Sequence, residues 1–194
     1  MAKPGKKVQA LMDTARELFW KHGLKRVSVE EICNKAGVSK MTFYRHFENK
    51  TDLAKVVYND VIDGSLKKFK EIMSDGDTTT EEKMEAMLNL KLEGTHEISR
   101  EFLHDFYGSP ELGLVDFINR RSQEIWQEMI RDFKTAQDKG WFRKDFKPEA
   151  FFIVSQKMAD LISDEKLLAL YDTPQDLIME LSKLFTYGII SHKK

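Results

Sequence analysis

The stretch at residues 28–50 constrains the fold most, because it holds two short helical patterns separated by a tight turn. Ser28 and Glu31 have the Ser-x-x-Glu spacing of a capping box, which predicts a helix beginning at the residue after Ser28. Gly37 permits the left-handed backbone conformation that ends this helix. Ser39 is placed to cap a second helix directly afterwards. Two short helices joined in this way predict a helix-turn-helix.

The second helix of this stretch is rich in polar and basic side chains. Phe43 and Phe47, four residues apart, supply its only obvious core-facing pair. A recognition helix is short, and its exposed side chains must reach base edges and phosphates. The residues around the two phenylalanines that suit this task are Lys40, Thr42, Tyr44, Arg45 and His46.

The run VSKMTFYRHF at 38–47, followed by Lys50, resembles the helix-turn-helix of the tetracycline-repressor (TetR-type) family. The matching features are the Ala-Gly-Val-Ser turn, the pair Tyr44 and Phe47, and a lysine where the next helix begins. The motif similarity covers roughly residues 8–55, and beyond them the match is architectural. The resemblance implies a DNA-binding transcriptional regulator, most simply a repressor, that is not an enzyme and needs no cofactor.

The resemblance also implies roles for individual side chains. Phosphate contacts are implied for Ser28, Tyr44, His46 and Lys50. Lys40 and Thr42 begin the recognition helix, where base edges are closest, so Lys40 is expected to read a guanine and Thr42 a thymine methyl or the backbone. Arg45 faces DNA or pairs with Glu48, and Ser39 completes the DNA-binding set. Glu30 departs from the family pattern, because some members place a basic or hydroxyl group there.

The distribution of charge along the chain fits such a regulator. Residues 1–50 hold 11 Lys and Arg against 5 Asp and Glu, whereas the remaining 144 residues hold 20 against 27. A basic module joined to an acidic body fits one end that binds nucleic acid and another that binds a partner or ligand. The single cysteine, Cys33, excludes an intramolecular disulfide. No stretch is apolar enough to span a membrane, so the expected location is the cytoplasm, without membrane partners.

Apolar residues recur at helical spacing along the whole chain, and no alternating strand pattern competes. The sequence therefore predicts an all-α fold with an N-terminal three-helix helix-turn-helix domain. We expect that domain at residues 1–50, with a mobile arm at 1–7. A long helix from about Asn49 to about Ser74 is expected to join it to a C-terminal helical domain, residues 51–194, for effector binding and dimerisation.

Two sets of apolar residues are assigned to this body by analogy with the family. Methionine and aromatic side chains adapt to apolar ligands, so a small apolar or aromatic effector is expected among them, although ordinary core packing is an alternative for the same residues. The expected pocket residues are Met84, Met87, Phe102, Phe106, Tyr107, Trp126 and Met129. The last two helices carry surplus apolar surface, which by the same resemblance implies a homodimer interface, although a thicker monomer core is the alternative. The expected interface residues are Phe151, Phe152, Met158, Leu177, Leu181, Leu184, Phe185 and Ile189.

Two other functions stay open from the sequence. One is a helical module that docks another protein while the helix-turn-helix tethers it to DNA. The other is a metal-dependent enzyme that uses two Glu-x-x-His pairs on one helical stretch, Glu93 with His96 and Glu101 with His104. A solvated, charged helix face is the simpler interpretation of these pairs, so no metal is predicted. Effector identity, operator sequence and the choice between repressor and activator are not encoded in recognisable motifs.

Overall fold

The computed structural model describes residues 4–189 apart from the side chain of Ala159, and its regular structure is helical, which confirms the predicted all-α fold. A short 3-10 turn, Pro110–Leu112, precedes the seventh helix. The helices are α1 (Lys6–Arg26), α2 (Val29–Ala36), α3 (Lys40–His46), α4 (Lys50–Ser74), α5 (Thr80–Gly94), α6 (Arg100–Tyr107), α7 (Leu114–Asp138), α8 (Pro148–Ile162), α9 (Glu165–Leu168) and α10 (Pro174–Ile189).

The chain divides into two compact units, and the division is not at residue 50. The first unit contains the described residues through Asp63 together with Glu97–Phe117. The second contains Gly64–His96 and the described residues from Ile118 onwards. The boundaries therefore fall inside α4, between α5 and α6, and near the start of α7, so α6 belongs with the helix-turn-helix. We call the first the DNA-reading unit and the second the body.

The helices of the DNA-reading unit begin and end where side chains can satisfy their free backbone groups. The Ser28 hydroxyl accepts a hydrogen bond from the Glu31 N–H (3.1 Å), as the capping box predicts. Gly37 ends α2 with φ 65° and ψ 32°, a left-handed conformation that costs glycine little. The Asn49 amide oxygen accepts from the Asp52 N–H (2.9 Å) and caps α4 at its predicted start.

The core of this unit is formed where α1 meets α2, α3 and α6. The fully buried residues of α1 include Leu11, Ala15 and Phe19. Ile32 from α2 and Phe43 from α3 are also fully buried. Burying a side chain of this size contributes on the order of 1.5–3 kcal/mol, so the short α2 and α3 are held mainly by this packing.

The body is built around phenylalanines from several helices. Phe133 of α7 has its ring centroid 5.0 Å from that of Phe142 and 5.2 Å from that of Phe152. The buried members of this cluster are Phe69, Met73, Met84, Phe133, Ala136, Phe142, Phe146, Phe152 and Ile189. Thr79 and Glu82 form a reciprocal capping box at the start of α5.

A buried lysine closes the turn between α4 and α5. The Lys83 ammonium donates to the backbone oxygens of Ile72 (2.8 Å) and Asp75 and to the Thr78 hydroxyl (2.8 Å). It also lies 4.5 Å from the centre of the Trp141 ring. Lys83 therefore satisfies carbonyls at the end of α4 that the helix itself leaves free.

Three helix boundaries differ from the sequence expectation. The expected arm at 1–7 is shorter, because α1 begins at Lys6; residues 1–3 lie outside the described residues. The apolar spacing from Val8 to Phe19 predicts a first helix that ends at Gly23, but Gly23 only kinks α1, with φ 74°, and the helix resumes to Arg26. The apolar spacing also predicts a helix over 95–107, but this helix begins only at Arg100, because Ser99 caps it through the Phe102 N–H (3.0 Å). Within the described part of the chain, no helix has the length and hydropathy of a membrane span.

Candidate nucleic-acid interface

The turn between α2 and α3 fixes how the second helix is presented. The Val38 N–H donates to the Cys33 carbonyl (3.0 Å), and Val38 is buried in the angle between the helices. The Ser39 hydroxyl accepts from the Thr42 N–H (3.2 Å) and lies 3.0 Å from the Thr42 hydroxyl. Phe43 and Phe47 then anchor the inner face, with ring centroids 5.5 Å apart. The sequence prediction of a helix-turn-helix is thus confirmed in its caps, its turn and its packing.

The outer face of α3 carries polar side chains that make no hydrogen bond or ion pair with the part of the chain that the structure describes. Tyr44 is 58% exposed, with its ring set edge-on against Phe43 at 5.2 Å. Arg45 and His46 are exposed as well. Among the described residues, the Tyr44 hydroxyl, the Arg45 guanidinium and the His46 imidazole have no hydrogen-bond or ion-pair partner. In particular, Arg45 does not pair with Glu48. These three groups remain available to phosphate oxygens.

An ion pair across the turn explains the unexpected glutamate at position 30. The Lys40 ammonium donates to a Glu30 carboxylate oxygen at 3.0 Å, joining α3 to α2. This hydrogen bond, together with the negative charge of Glu30, raises the pKa of Lys40. Both side chains are exposed, so the pair is weak in water and can open when a stronger acceptor approaches. Lys40 is therefore paired with Glu30 in the free protein, but its ammonium can still reach a base edge once this pair opens.

Lys50, expected from the family resemblance to touch a phosphate, is engaged elsewhere. Its ammonium donates to the backbone oxygens of Leu24 (2.6 Å), Lys25 (3.0 Å) and Val27 (2.7 Å). An ammonium has three N–H donors, so none is left for DNA. Burial lowers the pKa of Lys50, with a small opposing effect from Asp105. The structure therefore places Lys50 as a cap on the end of α1, as Lys83 caps the end of α4.

The kink in α1 is held by α6, a contact that sequence reasoning did not find. The Asp105 carboxylate is buried and accepts the Lys25 N–H at 2.7 Å. A Cβ on Gly23 would lie 2.7 Å from an Asp105 oxygen, which is closer than real Cβ atoms approach. The Ser99 N–H also donates to the Trp20 carbonyl at 2.9 Å. Both ends of this contact lie in the DNA-reading unit, and they couple the position of α6 to that of α1.

The expected effector-pocket residues fall into both units, and several are ordinary core. Phe102 and Phe106 are buried in the DNA-reading unit, where Phe102 packs 4.4 Å from Trp20. Tyr107 is half-buried there; burial raises the pKa of its hydroxyl, while a hydrogen bond with Tyr58 opposes that effect. In the body, Met84 is fully enclosed, whereas the accessible pocket residues that pack against the cluster are Met87, Trp126 and Met129.

The expected dimer face also needs revision. Phe152, Leu177 and Ile189 are buried inside the body, so they do not lie on a face open to a second subunit. The partly buried members of the predicted set are Phe151, Met158, Leu181 and Phe185. Leu184 alone is strongly exposed, at 63%. The other large apolar side chains exposed on α8 and α10 are Ile153, Val154, Leu161 and Tyr187.

The two Glu-x-x-His pairs do not share one helix. Glu93 lies on α5 and forms an ion pair with Lys68 at 3.2 Å, and His96 follows in the turn after that helix. Glu101 and His104 lie on α6, in the other compact unit. No group of three metal-ligating side chains occurs among the residues that the structure describes. The interruption after Gly94 removes the shared helical face on which the metal hypothesis depended.

Comparison with known proteins identifies the first part of the chain. Residues 11–57 match the family model described as bacterial regulatory proteins, tetR family. The HTH-type transcriptional repressor KstR2 of Rhodococcus jostii RHA1 is 23% identical over 156 residues, which cover 77% of this chain and 74% of that protein. Most of both chains is therefore aligned.

Solved structures extend the likeness to the whole fold. The fatty acid degradation regulator FadR from Bacillus halodurans has a TM-score of 0.69 at 19% identity, covering 96% of this chain and 97% of its own. A regulatory protein TetR from Rhodobacter sphaeroides has a TM-score of 0.70 at 17% identity, covering 96% of this chain and all of its own. At these identities the likeness establishes the fold.

Proposed function

We propose that this chain, whose residues 11–57 match the tetR-family model, is a homodimeric DNA-binding repressor that a small molecule releases from its operator. The observation that carries the proposal is the outer face of α3, where Tyr44, Arg45 and His46 are exposed without partners in the described chain. Its site of action would be the cytoplasm, where the DNA is.

On DNA, two recognition helices, one from each subunit, would enter successive major grooves roughly 34 Å apart on a near-palindromic operator. Tyr44, Arg45 and His46 would bind phosphates, and the hydroxyl of Ser28 would add a contact at the start of α2. Lys40 would exchange Glu30 for a guanine edge or a phosphate. Lys50 would not contact DNA itself but would stabilise the interface by capping the end of α1.

The second subunit would bind the apolar face formed by α8 and α10. Ile153 and Leu184 are 64% and 63% exposed, and apolar side chains of this size are costly to leave in water. The face also includes Val154, Leu161 and Tyr187, with the partly buried Leu181 and Phe185 beside them. A paired arrangement would bury these side chains and give the two recognition helices a fixed separation.

The effector would bind in the body beside Met87, Trp126 and Met129. Lys91 lies one helical turn after Met87, on the side of α5 that also carries Met84. Lys91 is exposed, and its ammonium has no partner among the described residues; desolvation by the surrounding atoms lowers its pKa. An anionic group of a ligand would give this ammonium a partner. We therefore favour an apolar ligand that carries a carboxylate, a class that includes the fatty acids.

Release would require the ligand to prefer a state in which the recognition helices no longer fit the operator. Within the DNA-reading unit, the contact of Asp105 with the Gly23 kink couples α6 to α1, so a shift of α6 would move α1. If the body instead served only to dock a protein, small molecules would leave operator affinity unchanged.

The test is to select, from a pool of random-sequence duplex DNA, the sequences that the purified protein binds at two salt concentrations. We expect an enriched near-palindrome whose binding weakens steeply with salt, since phosphate contacts release counterions. Weak binding with no enriched sequence would overturn the operator proposal. The selected duplex would then serve to screen fatty acids, comparing the wild type with Lys91→Met. Loss of release in the variant, with operator affinity kept, would support the ligand assignment; equal release in both would contradict it.

A further inference from the structure

Met41, the second residue of α3, is an apolar side chain on the face that otherwise carries hydrogen-bonding groups. It is 74% exposed, one of the most exposed large apolar residues in the described chain. The core-facing side of α3 is supplied by Phe43 and Phe47, so Met41 is not needed for packing. Met41, Tyr44 and Arg45 follow the i, i+3, i+4 spacing of neighbours on one helical face.

The surroundings of Met41 decide what it can bind. Side chains near the start of a recognition helix lie closest to base edges in the major groove. Phosphates and most base edges demand a hydrogen bond, and a thioether offers only a weak acceptor. The C5 methyl group of thymine is the apolar group that the major groove displays. A flexible, unbranched methionine fits such a contact without strict geometry.

Thr42, the neighbouring candidate for the same contact, is less available. Its hydroxyl lies 3.0 Å from that of Ser39, within the cap of α3, and the residue is half-buried. Lys40, on the other side, is held by Glu30. Among these three successive residues, Met41 is the one whose side chain is both exposed and uncommitted.

We propose that Met41 determines sequence specificity by packing against the methyl group of one thymine in each half-site of the operator. This inference rests on the proposed function, because it requires a sequence-specific operator. It assigns the chain an apolar base-reading contact in addition to its phosphate contacts. Removal of the side chain should therefore relax the sequence preference at that position while leaving the general affinity for DNA largely in place.

The test begins with the duplex selected by the wild-type protein. Each thymine is replaced singly by deoxyuridine, which removes only the methyl group, and affinities are measured for wild type, Met41→Ala and Thr42→Ala. We expect one thymine in each half-site at which replacement by deoxyuridine lowers the DNA affinity of the wild type about fourfold. This is the effect of losing one buried methyl group. The same replacement should have no further effect on Met41→Ala and its full effect on Thr42→Ala.

The outcomes separate this inference from the proposal on which it rests. If no sequence is enriched by the wild type, the operator proposal fails and the Met41 contact fails with it. If an operator is found but every deoxyuridine effect persists in Met41→Ala, the operator proposal stands and Met41 is not the reader. If the effect disappears in Thr42→Ala instead, Thr42 reads the thymine. Equal thermal unfolding temperatures of the three proteins would exclude misfolding as the cause of any difference. For Met41→Ala we expect an unchanged unfolding temperature, because Met41 is exposed.

Discussion

The exposed face of α3 and the exposed apolar face of α8 and α10 differ in chemistry. The face of α3 exposes a phenol, a guanidinium and an imidazole, whereas the face of α8 and α10 exposes Ile153, Val154, Leu161 and Leu184. The first suits a charged, hydrated ligand that is recognised by hydrogen bonds, and the second suits an apolar surface like itself. If the first face binds DNA and the second binds another subunit, as proposed, mutations should alter the two functions separately.

The largest expected effect comes from placing a charge in the apolar face. Leu184→Glu should raise the dissociation constant of the dimer about 100-fold, equivalent to about 2.7 kcal/mol, because a carboxylate would be desolvated there. Sedimentation equilibrium measures this directly. Leu170→Glu is the matched control, because Leu170 is 76% exposed but lies outside α8 and α10. Equal behaviour of the two variants would locate the interface elsewhere.

The next effect tests whether Lys50 stabilises the fold or binds a DNA phosphate. Lys50→Met should destabilise the DNA-reading unit by about 1–3 kcal/mol, because three carbonyls lose their donor. Lys35→Met, which removes an exposed pair with Glu17 (2.5 Å), should cost less than about 1 kcal/mol. Chemical denaturation followed by the helical signal provides the comparison. A Lys50 variant of normal stability with poor DNA binding would restore Lys50 as a phosphate contact.

A smaller effect tests the polar face by removing a single atom. Tyr44→Phe should weaken operator binding about fivefold to tenfold for each half-site, the effect of one hydrogen bond lost in each subunit, and leave self-association unchanged. Tyr187→Phe removes the same hydroxyl from the apolar face and should leave operator affinity unaltered. Fluorescence anisotropy with the selected duplex distinguishes them. The comparison between the two faces would break down if Tyr187→Phe weakened DNA binding as much as Tyr44→Phe.

The smallest effect concerns the Glu30–Lys40 pair. Glu30→Gln should strengthen operator binding about twofold to fivefold, because Lys40 no longer has to leave an ion pair worth less than about 1 kcal/mol. Glu31→Gln removes the same charge without freeing Lys40 and should have a smaller effect. Binding isotherms over a range of salt concentrations separate the two variants. Equal gains would mean that general charge, and not release of Lys40, is responsible.

Sequence reasoning succeeded where the deciding contacts are local. The caps at Ser28, Ser39, Asn49 and Thr79 each involve a partner three residues away, so the letters alone specify them. The same locality explains why the helix-turn-helix was predicted in detail. Its turn depends on Gly37 and its neighbours, and no distant residue is needed to set it.

The remaining features depend on contacts between residues far apart in sequence. Lys50 finds its carbonyls 23 to 26 positions earlier, and Asp105 meets Lys25 across 80 positions, so neither partner was visible in a pattern. Helix α8 is apolar almost all round, and periodicity cannot tell which side faces its own core. Phe152 faces inwards and Ile153 outwards for reasons that only the packing of neighbouring helices decides.

The placement of α6 has a practical consequence for building hybrid regulators. A chimera spliced at residue 50, where the motif ends, would exchange α1 but retain the native α6. Its Asp105 would then meet a foreign helix that need not have a glycine at the kink, and a Cβ there would collide with the carboxylate. To keep α1 together with the α6 that packs against its kink, a chimera would have to carry two segments, the residues through Asp63 and Glu97–Phe117. In this protein the exchangeable unit is therefore discontinuous in sequence.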